Sequence, residues 1–488
     1  MRFLSLAPLR SATLIGVATL AASAALAQPT PDWSTRPALT EAPAFTPPAV
    51  ERHALSNGLP VLFVDKPGVP LAQINLLVRA GSVDDGPKDG LAAFTADLMD
   101  EGAGDLDALE LADAVDFLGI DLTTSAGLHS LQVRLHTPLS KLDDALALMA
   151  DVALRPTFAE ADVDRVRTSR VTALDQRRDE ARSIASVAFA KALYGDAHPY
   201  GRTGEGTPAS LAALTPDDLA AYHDRVVRPG NAALVVVGAL SWDEVSDRLE
   251  AAFGADAWPV GETPARTAVR DAAQVGPRAV VLVDKPGAAQ SVVRIGRIGA
   301  ARSTPDYYAL EVLNTILGGS FTSRLNQNLR ERNGYTYGAR SSFDFRPVAG
   351  PFTAAADVQT AVTAPALTEF FREIEGVAQA VPPDELAKAR DYLALSFPSP
   401  FQTVAGTAAM VGDLWLSDLP EDTYARYSAG VRAVTAADLE RAAAAYLDPS
   451  RVVVLVVGDR AVIEDGVRAL GLGPITVLTV DDVLGPAD

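Results

Sequence analysis

The chain contains no cysteine among its 488 residues. That absence excludes a disulfide framework, a lipid-modified cysteine, a thiolate metal site and a cysteine nucleophile. Histidine is scarce: His53, His129, His136, His198 and His223 are all there are, and none lies in the second half. No two of them stand at i, i+3 or i, i+4, so no helix face offers a paired-histidine metal site. His129 and His136, on what reads as one strand, would fall on opposite faces and about 23 Å apart if extended. All five read as structural or surface histidines. A Gly-x-Ser-x-Gly nucleophile elbow is missing too. Positive charge is in deficit, 42 Lys and Arg against 62 Asp and Glu, for a formal charge of −20. Such a surface argues against nucleic acid and anionic membranes as partners. Beyond the N-terminus, no apolar run is long enough to span a bilayer.

What is present begins with a leader. Arg2 and Arg10 flank an uncharged run from Ala12 to Ala25, and Ala25-Leu26-Ala27 has the small-x-small form of a cleavage site. Residues 1–27 therefore read as a secretory signal peptide. The expectation is export and a soluble life, most naturally in a bacterial periplasm, with no membrane anchor after cleavage. Residues 28–50 hold six prolines and read as an extended arm. Ordered structure is expected from Glu51: Asn57-Gly58 signals a hairpin turn, Leu71 to Ala80 a buried strand, and Gly90 to Met99 a helix with Leu91, Phe94 and Leu98 on one face. Leu106 to Phe117, Leu139 to Leu154, Glu160 to Tyr194 and Pro208 to Tyr222 read as helical. Ile120 to Leu135 reads as a strand pair, and Ala232 to Val237 as a strong strand.

The pattern then repeats. Val64-Asp65-Lys66-Pro67-Gly68 recurs as Val283-Asp284-Lys285-Pro286-Gly287. LTPDDL from Leu214 matches VTAADL from Val434, Pro229 matches Pro449, and the strand ending at Gly238 matches the one ending at Gly458. The separation stays constant to within one residue, which is the signature of a duplicated unit. The expected fold class is α+β: two tandem homologous domains, each a mostly antiparallel sheet packed against helices, facing each other as a clamshell. The expected boundaries are 51–257 and 279–475, with a proline-containing linker at 258–278 and a tail at 476–488.

Chemistry concentrates in Leu317 to Tyr337, LGGSFTSRLNQNLRERNGYTY. A Gly-Gly turn precedes Ser320 and Thr322, which can cap a helix with Leu325 and Leu329 on one face. Asn333-Gly334 stops that helix. Tyr335, Tyr337, Ala339, Ser341, Phe343 and Phe345 then alternate with polar residues, as in a strand with one apolar face. A tight turn would thus bring Arg330 near Tyr337, and a cation and a phenol can both donate to one oxygen. Packing of the tyrosine and solvation of the arginine is the competing reading.

Two halves of this size, each closing on a Val-Val-Val-Gly-like strand, resemble the pitrilysin/insulinase family of zinc peptidases, the inverzincins. Arg155-Pro156-Thr157-Phe158, His198-Pro199-Tyr200-Gly201 with Gly206-Thr207-Pro208, and Arg228-Pro229-Gly230-Asn231 are similar to that family's local signatures. So are Ser323-Arg324-Leu325, Leu329-Arg330-Glu331 and Gly334-x-x-Tyr337, where the resemblance places the family's Arg/Tyr pair on Arg330 and Tyr337. An inverzincin also needs an H-x-x-E-H helix and a later glutamate. Laid on that pattern, the first histidine falls on Ala93, the base on Ala96, the second histidine on Asp97, and the third ligand on or next to Ala173. These slots are vacant, and the chain is expected to bind no metal.

The resemblance therefore implies a non-zinc subunit of a periplasmic heterodimeric metallopeptidase. Arg330 and Tyr337 would bind the peptide carbonyl and stabilise the oxyanion in trans, with zinc held by a homologous partner and unstructured peptides as substrates. The alternative is a catalytically inactive scaffold or peptide-binding protein in which the pair is a remnant. An independent peptidase with other ligands is a third reading.

Overall fold

In the first of two six-stranded sheets, Asn57 and Gly58 fold the chain back as their sequence leads one to expect. Gly58 takes φ +81°, a left-handed conformation open to glycine without steric cost. β1 (Glu51–Ala54) then pairs antiparallel with β2 (Pro60–Asp65). β3 (Leu71–Val78), β4 (Asp121–Ala126), β5 (Leu131–Pro138) and β6 (Ala232–Gly238) complete the sheet in the order β1-β2-β6-β3-β5-β4. The computed structural model describes residues 45–379 and 381–486, so the leader and most of the proline-rich arm lie outside the described residues. Among the described residues no helix is long and apolar enough to cross a membrane.

The second half repeats the plan with β7 (Ala279–Asp284), β8 (Gln290–Ile298), β9 (Thr336–Phe343), β10 (Pro351–Gln359), β11 (Val453–Gly458) and β12 (Ile475–Leu478). Its order is β12-β7-β11-β8-β10-β9. The internal strands correspond one for one: β2/β6 and β7/β11 are parallel, while β3 and β8 each run antiparallel to both neighbours. The copies differ at one edge, where β1 is antiparallel to β2 but β12 is parallel to β7.

Each sheet carries apolar residues on both faces, and the two faces are covered differently. On one face of the first sheet Ile74, Leu76, Val133 and Leu135 pack with Phe94, Leu98 and Met149 from helices of the same half. On the other, Leu62, Val64, Leu77, Val235 and Val237 meet Ala408 and Val411 of the Val404–Leu416 helix, which belongs to the second half. The exchange is reciprocal. The Ala181–Tyr194 helix of the first half lays Ile184, Ala185, Ala188 and Phe189 on Val292, Ile298, Leu455 and Val457 of the second sheet. We call these exchanged surfaces the inner faces. Coverage on both sides explains why β6 and β11 are buried along their whole length and read as unbroken apolar runs.

Three sequence expectations need correction. Glu160 to Tyr194 is two helices, Glu160–Arg177 and Ala181–Tyr194, because the chain must leave one half and cross to the other sheet. Pro208 to Tyr222 is likewise two helices, Pro208–Ala212 and Pro216–Val226, the second opened by Thr215 accepting from the Asp218 N–H. His129 lies in the turn between β4 and β5, not on a strand. If the crossing helix holds the halves together, Phe189→Ala, which empties a site only 4% exposed, is expected to destabilise the chain by about 3 kcal/mol in urea unfolding.

Candidate functional site

The slots that the resemblance assigns to zinc ligands fall on two facing helices. Asp85, buried, accepts hydrogen bonds from the Gly90 and Ala92 N–H groups and opens the Leu91–Met99 helix. Ala93 on that helix is half-buried and Ala96 fully buried, its carbonyl accepting from Thr124. Asp97 is exposed and ion-pairs with Arg170 of the Glu160–Arg177 helix. Arg170 lies three residues before Ala173, which is exposed on the same helix. Its Nη2 also reaches Glu205 Oε2 at 3.0 Å, and Arg177 lies 3.5 Å from the same oxygen. Helices that a zinc peptidase would join through metal are thus joined by a guanidinium. Methyl groups and one aspartate already committed to arginine do not fit zinc. Among the described residues no group of three or more His, Cys, Asp or Glu side chains is placed to hold a metal ion.

The histidines are engaged in packing. His53 stacks on Trp242 with ring centroids 3.7 Å apart. His129 Nε2 lies 2.6 Å from the Tyr200 hydroxyl, His136 Nδ1 3.1 Å from Gln73 Oε1, and buried His223 Nε2 2.9 Å from the Ala153 carbonyl. His198 Nδ1 accepts the Tyr200 N–H. Burial holds His129 and His223 below the usual histidine range.

The Leu317 to Tyr337 stretch departs from its sequence reading in three ways. First, Gly318-Gly319 is not a turn leading into a helix. It ends one: the Tyr307–Asn314 helix runs on into a π-helical Thr315–Gly319, and Ser320 Oγ donates back to the Thr315 carbonyl rather than capping forward. A Cβ at Gly318 would collide with the Ser341 backbone of β9, so glycine is what lets helix and strand touch. Second, the following helix is π-helical over Asn326–Arg332, a wide form that recurs at functional sites. Leu325 and Leu329 are fully buried on it, as expected. Asn326 ties the region together, donating to the Phe321 carbonyl at 2.6 Å and accepting the Ala339 N–H at 3.2 Å. Buried Asn328 donates to Glu369 and Glu373, and Arg324 pairs with Glu385.

Third, Tyr337 is not on an apolar face. Ala339 and Ser341 are buried, as alternation requires, but Tyr337 is 94% exposed. The cause is a bulge. Ala339 pairs with Ala356 and Thr336 with Val358, so Tyr337 and Gly338 together oppose the single residue Asp357. The extra residue breaks the alternation and denies Tyr337 the core side that Val358 and Ala356 occupy. Thr336 Oγ1 fastens the bulge by donating to the Asp357 carbonyl at 2.7 Å and accepting from the Gly338 N–H at 3.1 Å.

Arg330 emerges from the π-helix half-buried. Its guanidinium lies over the Phe321 ring, 4.5 Å from the centroid, and its Nη1 lies 3.1 Å from Glu331 Oε1. The helix carrying Arg330 and the strand carrying Tyr337 are stitched by the Tyr335 N–H donating to the Leu329 carbonyl at 2.8 Å. Among the described residues the Tyr337 hydroxyl has no hydrogen-bond partner. A donor with no internal partner gives none up on meeting a ligand oxygen. Sequence reading did not find Phe321, 67% exposed, since a cation–π contact has no fixed spacing. It also missed Arg170, whose position on the later helix next to Ala173 was the available signal.

Two outcomes follow. Arg170→Met should cost about 1–2 kcal/mol in denaturant unfolding, a modest loss because Asp97 and Glu205 both reach solvent. Burial, opposed by two backbone hydrogen bonds, lifts the Asp85 carboxyl to about 7. The folded state therefore holds its proton more tightly than the unfolded state. Stability should fall as pH rises from about 4 to about 7, by a few kcal/mol at most, and Asp85→Asn should flatten that slope.

Comparison with known proteins gives one family. The family model for insulinase (peptidase family M16) matches residues 60–198, and that for the peptidase M16 inactive domain matches residues 213–393. An uncharacterized zinc protease of Mycobacterium leprae is 30% identical over 295 residues, a match spanning 60% of this chain and 65% of that protein. A crystal structure described as the peptidase M16 inactive domain from Pseudomonas fluorescens superposes with a TM-score of 0.78 at 26% identity, covering 84% of this chain and 98% of the other. The structure of a protease from Helicobacter pylori shares the fold, with a TM-score of 0.77 at 21% identity and coverage of 84% and 99%. Two halves built on one plan, each matched by an M16 model, and a whole-chain likeness to an M16 structure place this chain in the insulinase (M16) family of peptidases.

Proposed function

We propose that this chain is the metal-free subunit of an exported, periplasmic two-chain zinc peptidase and that Arg330 and Tyr337 serve the active site of a homologous, zinc-bearing partner. The single observation behind this reading is the bulge at Tyr337. A tyrosine that alternation would bury is turned out and left without a hydrogen-bond partner among the described residues, on the strand that the Tyr335 N–H ties to the helix carrying Arg330. A packing remnant needs no such device. The zinc of the partner supplies the Lewis acid for peptide hydrolysis, and the residues of this chain supply donors. Arg330 and Tyr337 would hydrogen-bond the scissile carbonyl oxygen and gain strength as negative charge develops there. Tyr337 is wet in the isolated chain, so association must exclude the water before the donors act at full strength. This makes the chain inactive alone.

Unstructured peptide should be cleaved only by the mixture of the two chains. Tyr337→Phe should lower the turnover of that mixture by about a hundredfold to a thousandfold while size-exclusion chromatography shows the complex intact. Arg330→Lys, which keeps the charge and loses the fork, should also lower it. Unchanged turnover in both variants would leave the chain a scaffold or peptide-binding protein.

A further inference from the structure

The inner face of the second sheet holds a group of cations that the oxyanion role does not use. Arg294 of β8 and Arg340 of β9 both pair across the sheet with Ala355 of β10. Cross-strand partners share a face, so the two arginines flank a small alanine, about 5 Å from it on either side. Arg182, from the helix exchanged out of the first half, joins them. It is 75% exposed and ion-pairs with Asp357. Half-buried Arg294 donates to Ser186 Oγ at 2.8 Å and to the Arg182 carbonyl, both neutral acceptors. Arg340 is exposed. Among the described residues neither Arg294 nor Arg340 has a carboxylate within ion-pair distance.

Three guanidiniums answered by one carboxylate stand out in a chain of formal charge −20. Arg294 carries the strain: burial first, then repulsion from Arg340, pushes its guanidinium below the usual arginine range. Asp357 offsets this in part, and a partly buried cation with no ion-pair partner is relieved further by an incoming anion. The same Asp357 that pairs with Arg182 is the residue opposed by Tyr337 and Gly338 in the bulge, so the cations begin where the proposed oxyanion donors end. Arg340 lies three residues along β9 from Tyr337, about 10 Å at strand spacing.

We propose that Arg340 and Arg294, with Arg182 beside them, form a subsite for an acidic side chain of an extended peptide, a few residues from the bond presented to Arg330 and Tyr337. Ala355 leaves the space between the two guanidiniums open, and a carboxylate there can accept from both. The assignment rests on the reading that peptides meet this face of β9. Its test does not need the partner chain, so it stands or falls apart from catalysis in trans.

The test is fluorescence anisotropy on the full chain alone, with an unstructured peptide containing glutamates and its glutamine counterpart. The glutamate peptide should bind about tenfold more tightly at low salt, with the difference shrinking as salt rises. Arg340→Gln should bring the two peptides near parity. Asp357→Asn removes the competing carboxylate and should tighten the glutamate peptide severalfold, a gain that a poorly folded variant does not produce. Equal binding of the two peptides, or a preference unchanged in Arg340→Gln, would overturn the proposal. Displacement by submillimolar inorganic phosphate would make the patch a free-anion site and overturn the peptide assignment as well.

Discussion

The packing of this chain depends on an exchange in which each half gives one helix to the other's sheet. Neither sheet can be left as it is: Val235, Val237, Leu455 and Val457 are all fully buried, on the face away from the helices of their own half. Each such side chain contributes about 1.5–3 kcal/mol when removed from water, so a half standing alone would expose an apolar wall. The Val404–Leu416 and Ala181–Tyr194 helices solve this mutually. Small residues make the fit close. Gly412 approaches Leu77, and Gly296 approaches Phe189. Duplication supplies the symmetry, and the exchange makes residues 46–486 a single body.

Two places in that body align by resemblance with the family's zinc site and its Arg/Tyr pair, and they are built in opposite ways. At the first, Ala93, Ala96 and Ala173 are methyl groups, and Asp97 has been taken up by Arg170. A fixed guanidinium can bridge two helices as a metal would, but it offers no Lewis acidity and no open coordination position. At the second, around β9, effort has gone into exposure. The bulge turns Tyr337 out to solvent, while half-buried Arg330 is held on the π-helix by the Phe321 ring and Glu331. Arg340 lies further along the same strand, with Arg294 of β8 across Ala355 from it.

Much of the architecture was legible in the sequence because it follows from local chemistry repeated twice. The Asn57-Gly58 turn and the apolar β6 and β11 are written in a few adjacent residues. The helix break at Arg178-Asp179-Glu180 is not, since it contains neither glycine nor proline. It exists because Arg167 and Arg170 anchor one helix in the first half while Phe189 and Ile184 anchor the next on the second sheet. Likewise, Gly318-Gly319 reads as a turn by composition, yet serves to bring a helix against the Ser341 backbone.

The sequence by itself determined the duplication, the sheet-and-helix class, the lack of a ligand set for zinc and the spacing of Arg330 to Tyr337. Each of these is a matter of which residues occur and how far apart they stand in one segment. Only the tertiary structure decided which way Tyr337 points and what replaces the metal. Alternation along β9 would bury that tyrosine, and its direction is set instead by register with Val358, Asp357 and Ala356 on β10. Arg170 reaches Asp97 across a gap of seventy-three residues. Strand register and charge pairing of this kind are long-range, so no local pattern of residue types encodes them.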